Sequence, residues 1–258
     1  MRANYHTHTW RCNHATGVEE DYVKTAIQQE FDILGFSDHT PQFFPEGYRS
    51  GFRMGAEELA GYCSVVRDLQ DRYSDKIRIH MGLEVEYYPA LFSQLIPVLQ
   101  DQGIEYLLLG QHFIGNEVND HYSGRATADK DHLIRYCNQC IEAMQTGMFT
   151  YFAHPDLLNY VGDDAAFYRE QMRRICREAK SCGIPLEINL LGVRENRFYP
   201  HEAFFRLCGE MGAEVCIGCD AHSADVACDT PSFLKAMEMA DRWNLRVNHN
   251  PMLREVKF

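Results

Sequence analysis

In the opening stretch MRANYHTHTWRCNHATG, His6 and His8 stand two residues apart. In an extended chain that spacing turns both imidazoles to one face, where they can chelate a single ion. His14 follows six residues later, within loop reach of a neighbouring ion. Asp220 and His222 repeat the two-residue spacing as a DxH near the other end. Between these pairs come Asp38-His39 in GFSDH, Glu84 and Glu86 in GLEVEY, His112 closing LLLGQH, and His154 in YFAHPD. Glu84 lies inside an apolar run, where an unpaired carboxylate costs several kcal/mol. Bridging two metal ions would remove that cost, and Glu86, on the same face, competes with Glu84 for the role. Imidazole and carboxylate donors suit zinc, iron or manganese better than magnesium or calcium. Cys12 and Cys219 lie near these positions and are read as bystanders.

Residues scattered from position 6 to position 222 act together only if the fold gathers them. Short apolar runs suited to strands occupy 3–8, 33–38, 77–86, 106–112, 150–154, 185–189 and 215–218. Amphipathic patterns with helical period lie between and after them, at 18–30, 56–73, 89–100, 131–145, 165–181, 201–211 and 232–243. Gly35, Gly103, Gly147, Gly183 and Gly212 punctuate the helix-to-strand turns. Strand followed by helix seven times argues for a parallel α/β barrel. In such barrels the C-terminal strand ends form the functional face. Every strand here finishes in or beside a residue able to bind a metal or a polar substrate.

The bulk composition agrees with one soluble domain. The 258 residues are 45% hydrophobic and 24% charged, with a formal charge of -12 and no run of Lys or Arg. That balance excludes nucleic acid as a main partner. No apolar stretch reaches the roughly 20 residues of a membrane span, and no signal peptide is expected. Ten cysteines include CxxC pairs at Cys137/Cys140 and Cys216/Cys219, but neither sits in a glycine-rich knuckle. They are expected to be free, buried thiols in a reducing cytoplasm. The sequence assigns no oligomeric state.

The ordered set of HxH, a following His, a strand-end His, Glu, His, His and a final DxH resembles the PHP family, the polymerase and histidinol phosphatase domain. The resemblance extends over essentially the whole chain. It implies a distorted seven-stranded (β/α)7 barrel spanning 1–258, with two or three divalent metals. It implies that His6, His8, Glu84 and Asp220 hold a first ion. Glu84, His112 and His154 would hold a second, and His14, His39 and His222 a third. CNHATG, GLEVEY, FAHPDLL and LEINLLGVRENRFYP resemble the histidinol-phosphate phosphatase branch. That likeness implies hydrolysis of a small phosphate monoester, L-histidinol phosphate, by a metal-activated hydroxide. Glu84, Asp220, His222 and Arg194 would be catalytic, and Arg194 and Arg197, just past the sixth strand, would bind the phosphate bidentately. Arg53 and Arg125 are further arginine candidates. Glu86, Tyr87, Phe113, Trp10 and Tyr160 are candidates for holding the substrate's imidazole and amine. The alternatives are another substrate on the same scaffold (a phosphodiester, a nucleoside monophosphate or phosphotyrosine) and a non-catalytic metal- and phosphate-binding module.

Overall fold

The computed structural model describes residues 2–118 and 121–257. Eight parallel strands form one sheet in sequence order: β1 (Ala3–Asn4), β2 (Ile33–Phe36), β3 (Arg78–Val85), β4 (Tyr106–Leu109), β5 (Phe149–Phe152), β6 (Leu186–Asn189), β7 (Glu214–Gly218) and β8 (Arg246–Val247). The helices are α1 (Glu19–Gln28), α2 (Leu59–Arg72), α3 (Pro89–Asp101), α4 (Lys130–Gln145), α5 (Ala165–Cys182), α6 (Leu190–Glu195), α7 (Glu202–Met211) and α8 (Thr230–Arg242).

The eighth strand is an addition to the expected seven, and the hydrogen bonding explains its place. β8 pairs with β7 only at Glu214–Arg246 and Val215–Val247, at the base of the sheet. At the opposite rim the chain after β1 meets the chain after β7 directly. Thr7 bridges Ala221, His8 donates to the Ala221 carbonyl at 2.9 Å, and Ala221 donates to His6 at 3.2 Å. The sheet therefore curls until the segments that follow its first and seventh strands meet at the end where the histidines lie.

Two apolar clusters hold this shape. A small one, with Tyr5, Ile33, Tyr106, Leu108, Tyr151, Ala153 and Cys216, fills the inside of the curl. The large one packs the helices against the outer face and takes the alternate side chains of the same strands, such as Leu107 and Leu109. The period of two along β4 thus separates the two cores. Gly183 and Gly212 end α5 and α7 in the left-handed conformation, with φ of 62° at each. Gly35 is different: it lies inside β2, and the Tyr106 hydroxyl packs where a Cβ would be. Its role is close packing inside the curl rather than helix termination. The short α6 was absent from the periodicity because it is one and a half turns long. It exists because Asn189 caps it, accepting from the Gly192 N–H at 3.1 Å. All ten cysteines are free, and Cys176 and Cys208 share a thiol–thiol hydrogen bond at 3.6 Å rather than a disulfide. Among the described residues no helix is long and apolar enough to cross a membrane.

Candidate metal centre

The strand ends deliver their side chains to one point. Glu84, within β3, is fully buried and stands at the centre. Its Oε2 lies 3.0 Å from His39 Nδ1 and 3.6 Å from both His6 Nε2 and His8 Nε2. Its Oε1 lies 2.8 Å from His154 Nε2 and 3.7 Å from His112 Nε2. Asp220 Oδ1 lies 3.1 Å from His8 Nε2 and 3.6 Å from His6 Nε2. His14 and His222 complete the cluster with their Nε2 atoms 2.9 Å apart. Three overlapping triads, His6–His8–Asp220, His8–His39–Glu84 and His14–His39–His222, each have donor atoms within 4.8 Å of one another. All nine residues expected as ligands are thus brought together.

The local backbone is bent to achieve this. His154 has φ of 32° and Asp220 φ of 46°, in the left-handed region that side chains seldom occupy. Gly110 is needed at the end of β4, because a Cβ there would collide with the Glu84 carboxyl group. Gly218 gives the same clearance to another carboxylate, Glu187.

Several polar atoms here are buried without a hydrogen-bond partner: His6 Nε2, both ring nitrogens of His8, His39 Nδ1, Glu84 Oε2 and His154 Nδ1. Each such atom costs about 1–3 kcal/mol. Lone pairs converging without donors are what a cation satisfies, so the donor set fits divalent metal. The electrostatics agree. Burial would raise the carboxyl of Glu84, but His112, His39 and His154 outweigh it and hold the group well below its ordinary value. Asp220 behaves likewise, with burial overcome by His6, His8 and His222. Burial pushes His39 down to about 3 and His222 well below its usual value, with neighbouring His8 adding to both shifts. Burial also opposes charge on His6 and His8, yet the carboxylates around them prevail: Glu187 and Asp220 raise His6, and Asp220 and Asp38 raise His8 to about 9. The site therefore demands positive charge at its centre.

Behind the cluster, other groups fix the rings. Glu187, on β6, accepts from His6 Nδ1 at 2.7 Å, from the His154 backbone N–H at 3.0 Å and from Asn189 Nδ2 at 2.8 Å. Asn189 also donates to Asp220 Oδ2 at 3.0 Å. Glu86 accepts from His112 Nδ1 at 2.7 Å and from Arg53 at 2.6 Å, and Arg53 also reaches Glu117 at 2.9 Å. Burial opposes charge on Glu86, but Arg53 and then His112 hold it down to about 2. His14 Nδ1 lies 2.7 Å from the Cys12 carbonyl, and Asp38 accepts from the Thr9 hydroxyl. Fixing the back nitrogen in this way sets the tautomer and leaves the front nitrogen free for a metal.

Glu187 is the residue that sequence reading missed. Its signal was present, a carboxylate inside the apolar strand LEIN, the same signal that drew attention to Glu84. Glu86 does not compete with Glu84, because its carboxylate is already committed to His112 and Arg53.

Above the cluster opens a cavity of about 510 Å³, walled by Phe52, Phe113, Leu157, Leu191 and Tyr199 and rimmed by Tyr122, Glu195 and Arg197. Among its described lining residues Arg197 is the sole Lys or Arg. The two expected phosphate arginines separate here. Arg194 does not line the cavity; its guanidinium donates to Asp229 at 2.9 Å, at the N-terminus of α8. The end of α6 divides them: Arg194 lies within the helix, whereas Arg197 follows the left-handed turn at Asn196. Arg53 is buried in its carboxylate pair, and Arg125 is exposed in the loop beyond Tyr122. Of the residues considered for the substrate's ring and amine, Phe113 lines the cavity. Glu86 and Tyr87 are buried, Trp10 is exposed, and Tyr160 lines a separate surface depression.

A family model described as PHP domain matches residues 4–190. A curated relative from Deinococcus radiodurans, named probable histidinol-phosphatase, is 26% identical over 229 residues, covering 84% of this chain and 85% of its own. Another of the same name from Schizosaccharomyces pombe is 26% identical over 247 residues, covering 86% and 81%. The solved histidinol phosphate phosphatase of Lactococcus lactis, complexed with zinc, L-histidinol and phosphate, matches with a TM-score of 0.75 over 98% of this chain and 97% of its own. At 20% identity that likeness is one of fold.

Proposed function

The chain belongs to the PHP domain family, and from that premise we propose that it is a metal-dependent phosphomonoesterase that hydrolyses L-histidinol phosphate to L-histidinol and phosphate. The observation that carries the chemistry is the convergence of unpartnered buried donors on Glu84 beneath a cavity with one arginine. The substrate rests on the shared name of two relatives aligned over more than four fifths of both partners.

His6, His8, Glu84 and Asp220 would hold one ion, Glu84, His112 and His154 a second, and His14, His39 and His222 a third. When bound, divalent zinc, iron or manganese supplies Lewis acidity to the phosphoryl oxygens and lowers the pKa of a water toward neutrality. The protein's own groups do the remainder. Arg197 grips phosphoryl oxygens and faces the charge that grows on them. Glu187 and Glu86 keep the protons of His6 and His112 on Nδ1. Asn189 occupies Asp220 Oδ2, which leaves Oδ1, turned toward His6 and His8, as the oxygen that would hold the first ion. His222, 3.4 Å from that oxygen, lies next to the leaving alcohol's path. The aromatic wall limits water access. Arg194 braces α6 against α8 and has no part in substrate binding. In this reading residues 1–258 act as one domain in the cytoplasm, in keeping with ten free thiols.

The test is phosphate release from L-histidinol phosphate beside a nucleoside monophosphate, phosphotyrosine and a phosphodiester, before and after chelation and readdition of manganese or zinc. We expect a metal-dependent kcat/KM of about 10⁴ M⁻¹s⁻¹ or more for histidinol phosphate, well above the others. A better competing ester overturns the substrate, and no turnover with full metal loading overturns the enzyme.

A further inference from the structure

One charged side chain at the cavity rim has no part in the chemistry above. Glu195 is the last residue of α6, and Asn196, with φ of 52°, turns the chain so that Arg197 comes back beside it. A single oxygen of Glu195, Oε2, accepts from Arg197 Nε at 2.8 Å and lies 2.7 Å from Nη2 of the same guanidinium. The Tyr199 hydroxyl receives Arg197 Nη1 at 2.8 Å. Glu195 Oε1 accepts nothing from the described residues. The pair is open to the cavity, with side chains 48% and 40% exposed.

An exposed ion pair contributes little, about 0–1 kcal/mol. It is therefore cheap to exchange. A ligand that brings its own anion to Arg197 and its own cation to Glu195 replaces one weak pair with two charge-assisted ones. The two protein charges are in direct contact, so the ligand that fits carries its opposite charges close together as well. An ester with ammonium and phosphate on adjacent carbons meets that condition. Glu84 and Asp220, the other acids of the cavity lining, are engaged by histidines at the floor. Glu195 is thus the one acid of the described cavity lining that the histidine cluster does not engage.

We propose that Glu195 is a specificity residue that binds the substrate's ammonium group, so that the site selects phosphate esters of 1,2-amino alcohols over phosphate esters in general. The inference rests on the phosphomonoesterase reading and deepens it. Phe52, Phe113 and Leu157 carry no charge with which to meet an ammonium, and the Tyr199 hydroxyl is engaged by Arg197, which leaves recognition of the charged head to the Glu195–Arg197 pair.

The experiment compares the metal-loaded wild type and Glu195→Gln on two matched pairs. One is L-histidinol phosphate against its deamino analogue, 3-(imidazol-4-yl)propyl phosphate. The other is phosphoethanolamine against ethyl phosphate. The wild type should prefer the amine in both pairs. In Glu195→Gln that preference should shrink about tenfold to a hundredfold, mainly through KM, because one charge-assisted contact is lost only with the amine. Two results overturn the proposal: an unchanged preference ratio, or equal losses on amine and deamino esters, which would mean that Glu195 merely holds Arg197. Failure of the underlying reading appears separately, as wild-type preference for an unrelated ester. If the wild type turns over no ester, calorimetric binding of each matched pair to wild type and variant decides the same ratio.

Discussion

Glu187→Gln removes one charge and changes almost no volume, and it tests how the cluster is tuned. The native carboxylate faces three donors: His6 Nδ1 at 2.7 Å, the His154 N–H at 3.0 Å and Asn189 Nδ2 at 2.8 Å. It is fully buried, so water cannot substitute. An amide offers one oxygen and one NH2. If the NH2 turns to His6, the imidazole must move its proton to Nε2 and loses the lone pair that would bind a metal. If it turns the other way, it meets two donors. Either outcome leaves a buried mismatch of about 1–3 kcal/mol. Groups that orient metal-binding histidines are typically worth 10–100-fold in metal affinity, which is about 1.4–2.8 kcal/mol. The two figures agree, so Glu187→Gln should weaken zinc or manganese binding about 10–100-fold. Competition against a chromophoric chelator measures this directly. At a fixed metal concentration a hundredfold loss removes about 2.7 kcal/mol of linked stabilisation. For a chain of this size that lowers the metal-dependent rise in Tm by about 5–10 °C. Metal affinity within twofold of wild type, with the same rise in Tm, would refute the tautomer argument whatever happened to turnover.

Gly110→Ala should be more severe, because the new methyl group occupies the place of the Glu84 carboxyl and displaces it from among five histidines. Metal content after dialysis should fall by at least one ion per chain, and full occupancy would contradict the central position of Glu84. The two arginines of the GVRENR segment should separate cleanly. Arg197→Ala should lower kcat/KM about 10–100-fold, the usual worth of a charge-assisted contact to phosphate. Arg194→Ala should instead lower Tm by about 2–4 °C through loss of its Asp229 contact and change kcat/KM less than threefold. Steady-state kinetics and thermal melts on the two variants suffice, and the reverse pattern would return Arg194 to the substrate.

The sequence carried the metal cluster well because its ligands sit at strand ends, where residue type and topology speak together. HxH and DxH are short-range patterns, and Glu84 is conspicuous inside an apolar strand. The same logic applied to LEIN would have found Glu187, but its three partners are brought to it by strands β1, β5 and β6, and no local spacing records such a meeting. The arginines show a sharper limit. Arg194 and Arg197 look equivalent in sequence, yet α6 is too short to leave a period, and its capping by Asn189 decides which one faces the cavity. Strand ends were likewise read too long: β1 stops at Asn4, and the rim beyond is closed by single bridges rather than by regular pairing.

That irregular rim has a physical reason. A regular strand through His8 would keep His6 and His8 on one face but carry the chain on past the site, whereas the short 3-10 turn at Trp10–Cys12 and the left-handed Asn13, with φ of 67°, bring His14 back to it. Breaking the ladder after Asn4 frees backbone groups, and these are satisfied across the seam, by His8 N–H to Ala221 and Ala221 N–H to His6. The seam joins the carriers of HxH and DxH to each other through backbone hydrogen bonds. His154 and Asp220 carry positive φ on the same rim, so strain and orphaned donors are concentrated in one place. The large apolar core elsewhere stabilises the barrel enough to sustain that local penalty. Metal binding should therefore act chiefly on the rim and leave the base of the barrel, with its Tyr5, Tyr106 and Tyr151 plug, unchanged.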